Sequence, residues 1–301
     1  MKNIQSKIKG SLYGFAIGDA MGATTEFMNK DAIGEKYGYV DNIIGGGWLN
    51  LNPGEVTDDT QMMLCVCEAI EYAFGSDDVL DDIVYDIEET FLDRCCKNFV
   101  AWYKTNPVDI GGCCRRVISH FENEPSSNAC SSNWIMYAYN PESLGNGSLM
   151  RTLPLVLSGQ SEDLSMLQGR LTHNNKVCDF AIGMYCDYLK FMLDDIRPTA
   201  NLTLREPTGH VLNTLNNALY WAENTERFED AIIGAVNDGG DADTIAAITG
   251  SFVGAKYGYE AIPKHWIEQL DKNVREKLDF YAKLFEKKLT KRYVQILYNM
   301  V

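Results

Sequence analysis

Positive charge is in short supply. The 301 residues hold 27 Lys and Arg against 42 Asp and Glu, a formal charge of −15 with histidine neutral. A surface this acidic repels phosphate backbones, so nucleic-acid binding through a general basic field is excluded. The deficit is uneven. Lys256 to Val301 carries ten Lys or Arg and six Asp or Glu, so that stretch is net basic and the remainder holds −19. Long apolar runs are absent too. None approaches the roughly 18 residues of a membrane span, which leaves no membrane partner. Met1 to Lys9 has three lysines ahead of the apolar stretch Leu12 to Ala23, the outline of a secretory signal. Asp19 interrupts that stretch, and a carboxylate there is costly, so the segment is expected to belong to the mature fold.

The chain also lacks a disulfide framework. Its nine cysteines are an odd number, and none forms a Cys-x-x-Cys pair. They occur as Cys65-x-Cys67, Cys95-Cys96, Cys113-Cys114 and the single Cys130, Cys178 and Cys186. Adjacent cysteines do not bridge readily, and most of these sit at apolar helical positions as small hydrophobes. Reduced thiols in a reducing, cytoplasmic compartment are expected.

Strand-like alternation is nearly missing, as are linkers, repeats and low-complexity blocks. With 46% hydrophobic and 23% charged residues the composition is that of a folded chain, not a disordered one. Helical periodicity dominates. It predicts helices over 60–74, 83–104, 109–122, 175–195, 210–222, 226–236, 242–257 and 273–298, the second and third broken near Asn106-Pro107 and the fourth stopped by Arg197-Pro198. The expected fold is one all-α domain of ten or more helices over residues 1–301. Gly10, Gly14, Gly18 and Gly22 recur every four residues along one face. Each interior glycine costs about 1 kcal/mol relative to alanine, so four imply close approach of another backbone. The small-residue helix 242–257, with Ala246, Ala247, Gly250 and Gly254, is the expected neighbour.

Two acidic clusters stand at expected helix starts: Thr57-Asp58-Asp59-Thr60 and Asp241-Ala242-Asp243-Thr244. Each puts two carboxylates and a hydroxyl within four residues, the oxygen donors that hard divalent cations take. Neither contains His or Cys, which argues against zinc. Asp and Thr at helix starts are also ordinary caps. Composition leaves both readings open.

Four blocks in order carry a resemblance. They are Gly10-Ser-Leu-Tyr-Gly-Phe-Ala-Ile-Gly-Asp-Ala-Met-Gly22 with Glu26-Phe27; Gly54-Glu-Val-Thr-Asp-Asp-Thr60; Gly145-Asn-Gly-Ser-Leu-Met-Arg151 with Thr172-His173 downstream; and Asn237-Asp-Gly-Gly-Asp-Ala-Asp-Thr-Ile245. Together they resemble the ADP-ribosylglycohydrolase family, over roughly the first 260 residues. The resemblance implies an orthogonal all-α assembly with two Mg²⁺ or Mn²⁺ ions in a central cleft. Position by position it implies Thr57, Asp58, Asp59, Asp241, Asp243 and Thr244 as metal ligands. Glu26, Asp59 and Asp109 become the candidates for proton transfer, with Glu26 also near the metals. Asp109-Ile-Gly111 resembles a segment facing the bound ribose, although Gly112-Cys113-Cys114 replaces the usual polar continuation; Asp109 also reads as a helix cap after Pro107. Ser143, Gly145, Asn146 and Gly147 would hold the diphosphate and distal ribose, with His173 beside them. Arg151 either meets the ligand or braces an acidic metal ligand from behind. An aromatic ring would stack on adenine, and Trp48, beside Gly45-Gly46-Gly47, would shape a loop over the cleft.

The implied reaction is hydrolysis of the glycosidic bond between ADP-ribose and a modified side chain, arginine first, with an ADP-ribosylated protein or small conjugate as partner. Serine-linked or O-acetyl ADP-ribose is the second enzymatic reading. A catalytically silent ADP-ribose-binding member and an unrelated di-metal phosphohydrolase are the readings from other classes; the complete set of acidic residues favours an enzyme.

Overall fold

The computed structural model describes residues 4–75, 87–125, 128–196 and 202–299, the last nine as backbone. These hold fourteen α-helices: α1 (Ile4–Gly22), α2 (Lys30–Tyr37), α3 (Asp58–Phe74), α4 (Ile87–Tyr103), α5 (Gly112–Phe121), α6 (Ser131–Ala138), α7 (Leu153–Leu157), α8 (Glu162–Arg170), α9 (Lys176–Leu193), α10 (Val211–Glu223), α11 (Phe228–Asp238), α12 (Ala242–Tyr257), α13 (Lys264–Gln269) and α14 (Lys272–Asn299). Extended structure among the described residues is limited to three isolated bridges.

The centre is the antiparallel pair α1 and α12. A methyl group at Gly10, Gly14, Gly18 or Gly22 would collide with the backbone at Gly254, Gly250, Ala246 or Ala242, respectively. Gly250 and Gly254 meet α1 backbone in the same way. The backbones touch, so both helices are buried around almost their whole circumference. Neither therefore shows the one-sided apolar stripe of a surface helix. This register sets the C-terminal end of α1 against the N-terminal end of α12.

Two further contacts fix the neighbourhood. Asp19, fully buried on α1, accepts hydrogen bonds from the backbone N–H of Thr57 at 3.0 Å and of Thr60 at 3.0 Å. A carboxylate from another helix thus caps the start of α3, where unpaired N–H groups and the helix dipole favour negative charge. The loop before α12 is clamped by Phe27 N–H on the Gly240 carbonyl (2.6 Å), Gly240 N–H on Met28 (2.8 Å) and Asp241 N–H on Pro207 (2.9 Å). Gly240 has φ +66° and lies against the Pro207 carbonyl, where no side chain fits.

Several boundaries differ from the periodicity. The helix expected from 60 starts at Asp58 with Thr57, not Asp58 or Asp59, as its cap. That expected over 109–122 begins at Gly112, which leaves Asp109 in the preceding loop and ends its reading as a cap. Residues 83–86 of the expected 83–104 helix, and Arg197-Pro198, lie outside the described residues. α9 ends at Leu193, where buried Lys7 donates from Nζ to the carbonyls of Met192 (3.0 Å) and Leu193 (2.7 Å) and pairs with Asp195 at 2.8 Å. Helices α2, α6, α7, α8 and α13 have nine residues or fewer, too short for a periodic pattern to emerge.

Candidate active site

The end of α1 and the starts of α3 and α12 meet at one cavity of about 170 Å³. Glu26, Asp58, Asp59, Asp109, Asp241, Asp243 and Thr244 line it, together with Gly145, Asn146, Gly147 and His173. Gly111 lines it as well. Two expected members do not reach the wall. Thr57 accepts the Asp59 N–H as its cap and points its hydroxyl at Asp59 Oδ2, 3.5 Å away. Ser143 is buried, with its hydroxyl 2.6 Å from the sulfur of Cys113, which does line the cavity.

The carboxylates crowd one another. One oxygen each from Glu26, Asp109 and Asp243 lies within 4.8 Å of the others. Burial, then the charges of Asp109, Asp241 and Asp58, pushes Glu26 up to about 8, against the hydrogen bond that the Trp48 indole N–H donates to its Oε2 at 2.6 Å. Burial pushes Asp58, Asp59 and Asp243 well above the ordinary carboxylate range, with the neighbouring acids adding to it. Asp241 rises to about 6, held lower by the Asn146 side chain. Asp19 also reaches about 6 through burial, moderated by Thr60 and Thr57. Each acid has a protein donor, including backbone N–H groups on Asp109 and Asp243, but not every oxygen is met. Asp58 Oδ2 accepts the Gly111 N–H at 3.3 Å. Asp59 Oδ2 accepts the Thr244 hydroxyl at 3.3 Å, while Asp59 Oδ1 is buried with no hydrogen-bond partner among the described residues. A buried, unpartnered carboxylate oxygen among like charges is expensive unless a cation faces it. This donor set of carboxylates and hydroxyls at two helix starts fits a hard divalent cation.

Gly145, Asn146, Gly147 and Met150 contribute further lining. Asn146, expected against the diphosphate, instead turns its amide to Asp241 Oδ2 at 2.5 Å and to the Thr214 hydroxyl at 3.0 Å. It orients an acid. His173 packs under Gly145 and Gly147, with Nδ1 2.8 Å from the Thr172 hydroxyl. Burial, and the charges of Arg151 and Arg116, lower it to about 3, so the ring is neutral. Among the described residues Arg151 braces no carboxylate. It is fully buried and donates to the Gly147 carbonyl at 2.6 Å, the Thr172 hydroxyl at 2.8 Å and the Gln168 side chain, above the Phe99 ring at 4.9 Å. It shapes the glycine loop and the Thr172–His173 pair.

Sequence reasoning missed three features. Asp19 is the hidden cap of α3, and its one signal was a carboxylate inside an apolar stretch. Cys113 and Cys114 line the cavity. Phe27 lines it too, although 68% exposed, with φ +60° and its ring 5.4 Å from that of Trp48. Trp48 is half-exposed and closes over Glu26 through its indole.

Fold and cavity together define an all-α protein built around a buried, cation-fitting carboxylate cleft. A family model described as ADP-ribosylglycohydrolase matches residues 1–201 and 187–294. The chain belongs to the ADP-ribosylglycohydrolase family and is an enzyme of that kind. It is 33% identical to the ADP-ribosyl-[dinitrogen reductase] glycohydrolase of Rhodospirillum rubrum, over 92% of this chain and 94% of that one. It is 31% identical to the ADP-ribosylarginine hydrolase Tri1 of Serratia proteamaculans, over 88% and 75%. The structure superposes on that of an ADP-ribosylglycohydrolase-related protein complex with a TM-score of 0.76 at 27% identity, covering 96% of this chain and 99% of the other. Among the described residues no helix is long and apolar enough to cross a membrane.

Proposed function

We propose that the chain is one domain, a cytoplasmic hydrolase that uses two divalent cations, Mg²⁺ or Mn²⁺, to release ADP-ribose from a modified arginine on a protein. The observation that carries this reading is the meeting of two acidic helix starts at one cavity, with Asp59 Oδ1 buried and unpartnered. The names of the similar proteins support the linkage: one acts on ADP-ribosyl dinitrogen reductase and another on ADP-ribosylarginine.

Asp58, Asp59, Asp241, Asp243, Thr244 and Thr57 would hold the cations. When bound, the ions supply positive charge that orients ribose hydroxyls and makes a water more acidic. The protein's own groups do the rest. Trp48 holds one oxygen of Glu26 and leaves the other for a proton. Glu26 or Asp109 takes the proton of the attacking water and returns one to the departing guanidino nitrogen as the bond to the anomeric carbon breaks. Asn146 and Gly111 fix Asp241 and Asp58 through direct hydrogen bonds. The proximal ribose would sit at the acidic side of the cavity, beside Glu26 and Asp59. The diphosphate and distal ribose lie along Gly145, Gly147 and Ser143 beside neutral His173.

Incubation with ADP-ribosylated arginine and serine peptides, with and without EDTA, tests this. Mass spectrometry should find intact ADP-ribose from the arginine peptide, and none after chelation. Release of AMP would mean pyrophosphate cleavage and would overturn the proposal.

A further inference from the structure

Beside the catalytic cavity lies a groove of about 710 Å³ between the 27–30 segment, the 206–209 loop and the 238–241 turn. Phe27 and Asp241 line both, so groove and cavity are neighbours that share a wall. The acids along the groove differ in availability. Asp238 is neutralised by Lys30 at 2.7 Å and accepts the Trp221 indole N–H at 2.8 Å. Asp241 is held by Asn146 and faces the cavity. Glu206 lies on the exposed 206–209 loop, and among the described residues its carboxylate makes no ion pair or hydrogen bond. Phe27 stands at the junction. Its φ of +60° is a strained conformation for a bulky residue, held by the bond from its own N–H to Gly240, and it leaves the ring two-thirds exposed.

We propose that this groove is the leaving-group subsite, with the Phe27 ring and the Glu206 carboxylate selecting a cationic guanidinium over a neutral oxygen-linked side chain. This rests on the reading of the site as an ADP-ribosylarginine hydrolase. A planar guanidinium stacks on an aromatic face and pairs with a carboxylate in the same pose; a serine O-glycoside or an acetyl ester offers no positive charge for either contact. The free Glu206 charge and the neutralised Lys30 make the groove complementary to a cation. Its size leaves room for the flanking peptide beyond the guanidinium.

The experiment compares kcat/KM for an ADP-ribosylated arginine peptide and for O-acetyl ADP-ribose in the metal-loaded wild type, Glu206→Gln and Phe27→Leu. The arginine-to-acetyl preference is expected to fall about tenfold in each variant. An unchanged preference, with or without an equal loss on both substrates, would overturn the subsite. Failure of the wild-type enzyme to cleave the arginine peptide while cleaving the acetyl substrate would overturn the arginine reading itself. The Glu206 side chain is exposed, so Glu206→Gln keeps the fold even where Phe27→Leu disturbs its strained backbone.

Discussion

Among individual residues, the site carries more negative charge than the protein alone satisfies. Asp58→Asn and Asp241→Asn are expected to lower turnover at least a hundredfold, because each removes a carboxylate from the set proposed to hold the cations. The same substitutions should raise the melting temperature of the metal-free protein, since each removes a buried like-charge repulsion. Near-normal activity of either variant in magnesium would refute the ligand assignment. Asp19 is expected to behave oppositely. Asp19→Ala leaves the N–H groups of Thr57 and Thr60 without their acceptor, at a cost of about 2–4 kcal/mol in folding free energy, read by urea unfolding. Asp19 serves the site by fixing the start of α3.

Paired helices decide the next level. α1 and α12 touch backbone to backbone, so any side chain on the glycine face must push them apart. Gly14→Ala is expected to destabilise by about 2–3 kcal/mol and to lower turnover as well, because the same register brings Glu26 to Asp243. Gly34, exposed within α2, has open space around its missing side chain. Gly34→Ala should stabilise by about 0.5–1 kcal/mol and leave turnover unchanged. Thermal melts of the two variants test the packing argument against helix propensity alone.

For the whole molecule, charge couples stability to pH. A carboxylate raised on folding keeps its proton where the unfolded chain has lost it, so its contribution is full below the unfolded value and is lost as pH rises through the folded one. Glu26 spans this range from 4.5 to about 8, and Asp19 and Asp241 from 3.8 to about 6. His173 acts in the other direction. Lowered from 6.5 to about 3, it stabilises above 6.5 and loses that contribution as pH falls toward 3. Between pH 6.5 and 8 the contributions of Asp19 and Asp241 are already lost, and Glu26 acts with the strongly raised Asp58, Asp59 and Asp243. There the metal-free melting temperature should fall with pH, and saturating Mg²⁺ or Mn²⁺ should flatten the slope. A flat metal-free profile would show that the acids are already compensated.

Much of this was legible in the chain because its signals are local. The 3.6-residue periodicity, the glycine spacing at 10, 14, 18 and 22, and two acid-rich helix starts each lie within a few turns, and they sufficed for the all-α class, the long helices and the family resemblance. What tertiary structure decided is who meets whom. Asp19 became a cap for another helix, Asn146 turned to Asp241 and not outward, Arg151 braced a glycine loop without any carboxylate, and Phe27 came to stand between two cavities. Apart from the local Arg151–Gly147 bond, these depend on contacts between residues tens to hundreds of positions apart. Such contacts are set by the packing of whole helices, and no window of sequence contains that packing.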